Sequence, residues 1–224
     1  MLSSNAARKL VLVSGRSYPD LARDIASYLG IDVLKTTLYD FANGEIYCRY
    51  TQSVRGTDAF VFQTHCQPIN KWIMEQLIMI DALKRASVNS ITAVIPFLGY
   101  SRQDKKHLGR EPISCKLVMD ILTAAGVDRV MSVDLHTAQI QGFFNGPVDH
   151  LQAMPTLVSY IKESMKGRDL AIVSPDAGRI KVSAQWSHRL GGVPSSSFTR
   201  PATSPAPTSP SPRKWWGTWP AKTA

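Results

Sequence analysis

The sequence predicts an α/β fold built on a parallel sheet. Strand-like and helix-like segments alternate from Leu10 to about Leu190, several strand-like runs are β-branched without polar alternation, and three polar motifs directly follow strand-like runs. Non-alternating apolar strands are typical of parallel sheets that helices cover on both faces. With 224 residues, 44% of them hydrophobic, the chain is long enough for one large domain or two small ones.

In the first half of the chain, the predicted elements begin with a buried strand over residues 10–14. The helix in "SYPDLARDIASYLG" has Ser17 as its expected cap, Pro19 in its first turn and Gly30 at its end. "EIYCRY" and "DAFVFQ" predict further strands, and the "NG" before the first of them indicates a hairpin. "NKWIMEQLIMIDALKRAS" carries apolar residues at helical spacing, and "ITAVIP" predicts a buried parallel strand.

The second half of the chain continues the alternation. "PISCKLVMDILTAAG" predicts a helix, "DRVMSVDLH" a strand, "MPTLVSYIKESM" a helix, "DLAIVSPDAG" a strand and "RIKVSAQWSHRLG" a last helix. In open parallel sheets, ligands bind beyond the carboxyl ends of the strands, and "SRQDKK", "DLH" and "SPDAG" all fall there. We therefore expect a ligand site at that edge of the sheet.

Cysteine usage and the N-terminus predict a cytoplasmic location. The three cysteines, Cys48, Cys66 and Cys115, lack the spacing of a disulfide framework or a zinc site, which favours a reducing compartment. "MLSSNAARKLVLVSG" holds too short an apolar run for a secretory signal, and no other run is long enough to span a bilayer, so we expect no membrane partner. A Ser/Arg-containing organelle leader in "SSNAAR" is the disfavoured alternative.

The composition changes at about Gly191. Residues 191–224 hold seven of the 14 prolines, with no acidic residue and no Leu, Ile or Met. Such a segment cannot build a core, so we expect disorder with stretches of polyproline conformation. A Pro-rich ligand or a basic-aromatic anchor at "RKWWGTW" is a second interpretation, and an unselected tail is the favoured one.

Four cations occur together in residues 96–114, "PFLGYSRQDKKHLGREPIS", which we call the cationic loop. These cations are Arg102, Lys105, Lys106 and Arg110. The formal net charge of +9 favours an anionic partner, either a phosphate-bearing small molecule or a nucleic acid. The planar guanidinium of Arg102 can grip phosphate or a base edge, and the lysines add point charges, so a triphosphate suits this loop. A solvated surface run is the alternative.

A second candidate site follows the strand in "VDLHTAQIQGFFNGPVD". On a strand, residues two apart face the same side, so Asp134 and His136 are expected to project together, with Asp149 arriving from the next turn. These groups can hold a divalent cation whose other ligands are nucleotide phosphates, as is usual for Mg²⁺. Alternatively, His136 touches phosphate, or the Asp/His pair is an ordinary strand-end hydrogen bond.

Two further motifs are candidates for nucleotide contacts. In the hairpin loop, Phe41, Asn43 and Glu45 can meet an adenine and its ribose, although "NG" by itself indicates only a turn. "SPDAGRIK" places Asp176 and Gly178 at a strand-to-helix turn, where helix amides can receive a phosphate.

Taken in order, these motifs resemble the ribose-phosphate diphosphokinase (PRPP synthetase) family. The similar segments are "SVRGTDAFVFQ", "LIMIDALKRASVNSITAVIPFLGYSRQDKK", "DLHTAQIQGFFNGPVDHL" and "VSPDAG", within about residues 9–190. The resemblance implies two phosphoribosyltransferase-type α/β domains, hexamers, and an ATP site shared between neighbouring subunits. It also implies the reaction, a transfer of the β,γ-diphosphoryl group of Mg-ATP to the C1 hydroxyl of ribose 5-phosphate, which gives PRPP and AMP.

The resemblance also implies roles for single residues. The expected ATP-binding residues are Phe41, Asn43, Gly44, Glu45, Arg102, Gln103, Asp104, Lys105, Lys106, His107 and His136. The expected metal-linked residues are Asp134, His136, Asn145, Asp149 and Asp176. Ser53 and Arg55 match part of the family's regulatory phosphate/ADP site.

The sequence departs from the family pattern after "HRLG". The flexible loop that carries the family's catalytic lysine and arginine, and the acidic loop that binds the ribose and its 5-phosphate, are not recognisable, and Arg179 replaces a family glycine. We therefore expect a complete N-terminal domain over residues 8–149, the start of a truncated second domain over 150–190 and a disordered tail over 191–224.

The same departure leaves three functions open. The chain belongs to an active synthetase, although inactive alone, or it is a non-catalytic regulatory or nucleotide-binding partner of complete subunits. The third and least favoured function is a nucleic-acid or surface binder that uses the tail, whose basic residues are sparse. We expect homo-oligomers or hetero-oligomers with full-length subunits, and no nucleic-acid partner.

Overall fold

The computed structural model describes residues 9–175 and 179–197. The chain divides into two compact units, residues 1–153 and 154–224. The predicted boundary after residue 149 is therefore four residues too early, because the strand Val148–Leu151 pairs with a strand of the first unit. The first and second units are called unit 1 and unit 2 below.

The described elements follow the predicted alternation of strands and helices. The strands are β1 (Leu10–Ser14), β2 (Thr36–Asp40), β3 (Ile46–Tyr50), β4 (Asp58–Phe62), β5 (Ser90–Ile95), β6 (Arg129–Val133), β7 (Val148–Leu151), β8 (Ile172–Ser174) and β9 (Ser195–Ser197). The helices are α1 (Pro19–Leu29), α2 (Ile69–Arg85), α3 (Ser114–Ala125), α4 (Met154–Ser164) and α5 (Ile180–Arg189), with a 3-10 helix over Ala138–Phe143.

Unit 1 is built on a five-stranded parallel sheet in the order β1-β4-β5-β6-β7. One row of apolar residues crosses all five strands in register, namely Val13, Val61, Ala93, Val130 and Val148. The first four of these are fully buried, and a larger core around them includes apolar residues from α2 and α3. The predicted α/β class with buried parallel strands is confirmed, and the loops that follow the carboxyl ends of these strands lie at one edge of the sheet.

Helix α1 ends at Gly30 as predicted, but its expected cap is wrong. Tyr18 precedes the helix, and no side chain caps it. The hydroxyl of Ser17 instead donates to Gln63 Oε1 (2.7 Å) and accepts from the Thr64 amide (3.1 Å). A hydrogen-bonding requirement in the neighbouring strand end therefore takes precedence over the local capping preference.

The hairpin that "NG" indicates is confirmed. Strands β2 and β3 pair antiparallel as a separate two-stranded sheet, with residues 41–45 as the connecting loop. The amide of Glu45 donates to Asn43 Oδ1 (3.1 Å), which closes the turn. Tyr50 anchors the hairpin to α2 by donating its hydroxyl hydrogen to the Met79 carbonyl (2.9 Å).

Unit 2 holds α4, α5 and a two-stranded parallel sheet of β8 and β9. Strand β9 lies within the segment predicted to be disordered, so that prediction is wrong for Ser195–Ser197. The amide of Ile172 donates to the Pro194 carbonyl (2.8 Å), which starts the pairing that holds this segment. The rest of the predicted tail, residues 198–224, lies outside the described residues.

In the part of the chain that the structure describes, every helix is too short or too polar to cross a membrane.

Candidate functional site at the carboxyl edge of the sheet

Two loops of unit 1 leave adjacent strands at the carboxyl edge of the sheet. The cationic loop follows β5, and residues 134–137 follow β6. Both loops contain a non-glycine residue with positive φ, Tyr100 at 60° and Asp134 at 47°. Left-handed backbone at a bulky tyrosine is unfavourable and persists only where surrounding contacts enforce it, so these loops are held in specific conformations.

A buried histidine holds the base of the cationic loop. The amide of Gly99 donates to His65 Nδ1 (3.2 Å), so the proton of a neutral imidazole lies on Nε2, which donates to Gln76 Oε1 (2.9 Å). Burial lowers the pKa of His65 from 6.5 to about 4 and outweighs the opposing effect of its hydrogen bond to Gln76. Gly99 has no room for a side chain, because a Cβ there would lie 2.9 Å from Ile69 Cγ2.

Hydrogen bonds to backbone and side chains hold the rest of the cationic loop. The Gln103 carbonyl accepts from the Cys115 amide (3.1 Å), and Gln103 Oε1 accepts from the Ser114 hydroxyl. Further along the loop, Glu111 Oε2 accepts from the amides of His107 (2.7 Å) and Leu108 (3.0 Å), which lower its pKa. The backbone of the loop is thereby fixed without use of its cationic side chains.

Those cationic side chains project into solvent. Arg102, Lys105, Lys106 and Arg110 are all exposed, and none makes a salt bridge within residues 9–175 and 179–197. The backbone that carries these four cations is held by the hydrogen bonds described above. A cavity of ≈ 660 Å³ beside Arg102 is lined by Phe97, Tyr100 and residues 67–70. The arrangement suits a ligand with both a planar ring and several negative charges.

The prediction that Asp134 and His136 project to the same side because they lie on a strand is wrong. The strand ends at Val133, so Asp134 and His136 lie beyond it and the alternation of a strand does not apply to them. Both residues are exposed, on a loop held by its own contacts. Asp134 Oδ1 accepts from the Ala153 amide (3.3 Å), and the Leu135 amide donates to His150 Nε2 (3.0 Å). The two candidate ligands therefore share a fixed loop.

The structure does not bring Asn145 and Asp149 to this loop. Asp149 is the second residue of β7 and pairs in register with Met131, and its carboxylate accepts from Arg129, the first residue of β6, at 3.0 and 3.1 Å. Asn145 lies before β7, at the same amino edge of the sheet. Parallel strands put their starts at one edge and their ends at the other, which separates residues that are close in sequence. Asp176 lies outside the described residues.

Within residues 9–175 and 179–197, no three His, Cys, Asp or Glu side chains form a group that could hold a metal ion by themselves. Asp134 and His136 offer one carboxylate and one imidazole at the surface. Mg²⁺ prefers oxygen ligands and commonly takes one or two carboxylates with the rest from substrate phosphates and water. The chain's residues therefore fit a metal that arrives with a nucleotide.

An ionic network holds Asp40, the residue that leads into the hairpin loop of residues 41–45. Asp40, the last residue of β2, accepts from Lys71 (2.6 Å) and from Arg16, which also donates Nε to Glu75 Oε2 (2.6 Å). Glu75 is fully buried in α2, and Gln63 donates to it as well (2.9 Å). The two cations keep the pKa of Asp40 below its ordinary value. The network fixes the residue immediately before Phe41.

Beyond Asp40, the hairpin loop projects outward. Phe41 is 45% exposed and contacts Tyr39 and Tyr47 in an aromatic cluster. A cavity of ≈ 790 Å³ is lined by Phe41, Asn43, Gly44, Glu45 and the α2 residues Lys71, Met74 and Ile78. Among the described residues, no hydrogen bond or ion pair joins residues 41–45 to the cationic loop. Within one chain, the two sets of expected nucleotide contacts are thus held separately.

The two expected regulatory residues lie at the amino edge of the sheet. Ser53 and Arg55 are exposed on either side of Val54, which is buried in the core. The Gly56 amide donates to the Ser87 carbonyl (2.9 Å) and holds this loop just before β4. Ser53 and Arg55 are therefore accessible, at the opposite edge of the sheet from the cationic loop.

The buried polar residues that support the site loops were not predicted from the sequence. His65, Glu75 and Gln76 are buried polar residues, and His150 binds a backbone amide under the second loop. A polar residue on the buried face of an amphipathic helix, such as Glu75 one turn from Met79, is the only signal that could have indicated them.

A family model decides the relationship that these motifs indicate. The model for the N-terminal domain of ribose phosphate pyrophosphokinase matches residues 10–126, over half of the chain. The chain belongs to the ribose-phosphate pyrophosphokinase family. Pyrophosphokinase and diphosphokinase are two words for the same kind of enzyme, so the resemblance stated from the sequence is confirmed.

Relatives of known sequence and structure agree with this family. The ribose-phosphate pyrophosphokinase of Bifidobacterium longum is 67% identical over 196 residues, which are 87% of this chain and 58% of the relative. That of Streptomyces coelicolor is 56% identical over 190 residues, 85% of this chain and 59% of the relative. The crystal structure of phosphoribosylpyrophosphate synthetase from Mycobacterium smegmatis matches with a TM-score of 0.84 at 55% identity, covering 88% of this chain and 66% of that one. The chain thus spans about three fifths of the length of these curated relatives.

Proposed function

We propose that this chain provides the nucleotide-binding part of a ribose-phosphate pyrophosphokinase, which transfers the diphosphoryl group of Mg-ATP to the C1 hydroxyl of ribose 5-phosphate. The products are PRPP, used in nucleotide biosynthesis, and AMP. The observation that carries the proposal is the cationic loop, whose backbone is anchored while Arg102, Lys105 and Lys106 are exposed and unpaired among the described residues. Anchored cations facing solvent cost little reorganisation when a polyphosphate arrives.

In this proposal, each part of the loop has a physical task. Arg102 forms paired hydrogen bonds to phosphate or stacks on the adenine, since its guanidinium is planar. Lys105 and Lys106 attract the phosphates, and Gln103 and His107 contribute polar contacts. Mg²⁺ would be held by Asp134 and His136 together with phosphate oxygens and would neutralise charge that develops on the phosphates. Binding and orientation by fixed charges supply most of the catalysis in phosphoryl transfer.

We also propose that the hairpin loop serves a neighbouring subunit. Phe41, Asn43, Gly44 and Glu45 make no hydrogen bond or ion pair to the cationic loop among the described residues, so they are available to the nucleotide of another copy. This supports homo-oligomers, such as the hexamer that the family resemblance implies, or hetero-oligomers with full-length subunits. Ser53 and Arg55 are proposed to bind a regulatory phosphate or ADP at the other edge of the sheet.

A second candidate function is a non-catalytic regulatory or nucleotide-binding partner of complete subunits. It is favoured by one observation: residues 191–224 are rich in Pro and Ser and contain no acidic residue, so the family's acidic ribose-phosphate loop is not recognisable where it is expected after Leu190. The two candidates share the nucleotide site and differ only in whether this polypeptide turns substrate over.

Calorimetry of Mg-ATP binding tests the shared part of both candidates. Arg102→Ala should weaken the affinity by about tenfold or more, because charge-assisted hydrogen bonds typically contribute roughly 1.5–3 kcal/mol. Arg85→Ala is the matched control, since Arg85 is an exposed arginine that pairs with Asp81 within α2. Equal affinity of the wild type and Arg102→Ala would contradict the proposed site.

A PRPP assay with ribose 5-phosphate separates the two candidates. We expect the 224-residue polypeptide alone to bind Mg-ATP without forming PRPP at a normal rate, because the family's sugar-phosphate loop is not recognisable in its sequence. Each missing transition-state donor typically costs about 10²–10³ in rate. PRPP formation at a normal enzymatic rate would overturn this expectation and support full catalysis by the chain.

A further inference from the structure

Asp104 differs from its neighbours in the cationic loop. Its flanking residues Gln103 and Lys105 are exposed, whereas Asp104 itself is 7% exposed. A carboxylate pointing at the phosphates would repel them, so an acidic residue in this position requires another explanation.

The carboxylate of Asp104 faces the second loop of the site. Its Oδ2 accepts from the Thr137 hydroxyl (2.7 Å) and, more weakly, from the Gln139 amide (3.4 Å). Thr137 directly follows His136, and Gln139 lies in the 3-10 helix. The Thr137 hydrogen bond is the largest cause that lowers the pKa of Asp104, with smaller contributions from its own backbone, His136 and Lys105. The group is therefore ionised at neutral pH and its negative charge is already engaged.

These contacts join the two halves of the site. In residues 9–175 and 179–197, the two hydrogen bonds of Asp104 are the only ones between residues 99–113 and residues 134–143. One loop carries the exposed cations, and the other carries Asp134 and His136. Their separation is thus set by one carboxylate in addition to the strands beneath them and the packing of α3 against the 3-10 helix.

We propose that Asp104 is a positioning residue that holds the cations of the cationic loop at a fixed spacing from Asp134 and His136, so that both sets meet the phosphates of one nucleotide. This inference rests on the proposed nucleotide site and deepens it. It also replaces the expectation that Asp104 contacts ATP directly.

For Asp104→Asn, the proposal predicts a change in ATP affinity opposite in sign to the change that the lost charge alone would cause. Asp104→Asn removes a negative charge near the phosphate site, which by simple electrostatics should tighten ATP binding. If Asp104 positions the loops, the same substitution weakens binding, because its charge-assisted hydrogen bond to Thr137 is reduced to a neutral one. Asp120→Asn is the matched control, since Asp120 is an exposed carboxylate of α3 that pairs with Lys116.

The first experiment measures Mg-ATP affinity by calorimetry in six proteins: the wild type, Asp104→Asn, Thr137→Val, the double variant of these two substitutions, Thr137→Ser and Asp120→Asn. We expect a loss of about five- to tenfold for Asp104→Asn and Thr137→Val, which corresponds to roughly 1 kcal/mol. Thr137→Ser keeps the hydroxyl and should restore near wild-type affinity, and the double variant should bind no more weakly than the weaker single variant. Unchanged or tighter binding by Asp104→Asn, with its melting temperature preserved, would overturn the proposal.

The second experiment separates this inference from the proposed function. Hydrogen exchange read by mass spectrometry should show faster exchange of residues 99–108 and 134–143 in Asp104→Asn and Thr137→Val, but not in Asp120→Asn. If the wild type binds no Mg-ATP while exchange changes as expected, the nucleotide proposal fails and the link between the loops stands. Unchanged exchange in residues 134–143 would refute the link itself. If Asp104→Asn does not fold, Thr137→Val carries both measurements.

Discussion

Unit 1 and unit 2 follow the same alternation of strands and helices in sequence, but they bury very different cores. In unit 1, four residues of one row across the sheet, Val13, Val61, Ala93 and Val130, are fully buried. In unit 2, the described strands are three residues each, and only Val158, Ser174 and Ser183 are buried among its described residues. Burial in a parallel sheet therefore depends on the number of neighbouring strands more than on the apolar content of any one strand.

The two units also differ in what lies beneath their loops. Unit 1 buries Gln63, His65, Glu75 and Gln76 completely, and these residues bind one another and the backbone of the site loops. Unit 2 instead contains an apolar cavity of ≈ 550 Å³ lined by residues including Ile161, Trp186 and Leu190. A satisfied buried polar network specifies one arrangement of its neighbours, so unit 1 is the better support for a binding site.

The largest expected difference between the units comes from the same substitution at a leucine in each. Leu83→Ala in unit 1 should lower the free energy of unfolding by about 2–5 kcal/mol, because Leu83 is fully buried. Leu170→Ala in unit 2 should cost only about 1 kcal/mol, because Leu170 is partly exposed beside the open cavity. Urea denaturation, with hydrogen exchange to assign each loss to its unit, checks both values. Equal losses of unfolding free energy for the two substitutions would contradict the difference in burial between the units.

The second-largest expected effect is a dependence of the unfolding free energy on pH, which arises from His65 in unit 1. Folded His65 stays neutral down to about pH 4, whereas the unfolded chain binds a proton near pH 6.5. Unfolding therefore takes up a proton between these values, and stability falls by about 3 kcal/mol as the pH is lowered from about 6.5 to about 4. Below about pH 4, both states are protonated and His65 contributes no further loss.

A His65→Gln variant isolates this contribution, because glutamine does not titrate. The variant should be less stable than the wild type at pH 7, and the difference in unfolding free energy should shrink steadily toward pH 4. Urea denaturation at several pH values measures that difference, and other titrating groups cancel in it. A difference that stays constant with pH would show that His65 is not the group concerned.

The smallest expected effect is the loss of one side-chain hydrogen bond, which should cost about the same stability in both units. Tyr50→Phe removes a hydroxyl that donates to the Met79 carbonyl (2.9 Å) in unit 1, and Ser187→Ala removes one that donates to the Val193 carbonyl (2.6 Å) in unit 2. Each partly buried hydrogen bond should contribute about 1 kcal/mol. Similar losses in thermal or urea unfolding would assign the difference between the units to hydrophobic burial, and a much larger loss for Ser187→Ala would assign part of it to hydrogen bonding.

The sequence by itself determined the elements of this protein and its family. Apolar spacing in α2, the β-branched run of β5 and the "NG" turn are local signals, because each depends on residues a few positions apart. The order of the motifs was enough to indicate a ribose-phosphate pyrophosphokinase. The exposure of Arg102, Lys105 and Lys106 also follows from local sequence, since long charged side chains after a strand end remain in water unless they are paired.

Only the tertiary structure decided which of these residues meet. The pairing of β6 with β7 puts Asp149 beside Arg129 at one edge of the sheet and leaves Asp134 at the other. Residues far apart in sequence, Asp104 with Thr137 and His65 with Gly99, come together because strands β4, β5 and β6 lie side by side. Likewise, Ser195–Ser197 form a strand because they pair in parallel with β8. Strand order and register depend on long-range pairing across the whole sheet, and no local pattern in one segment encodes its partner.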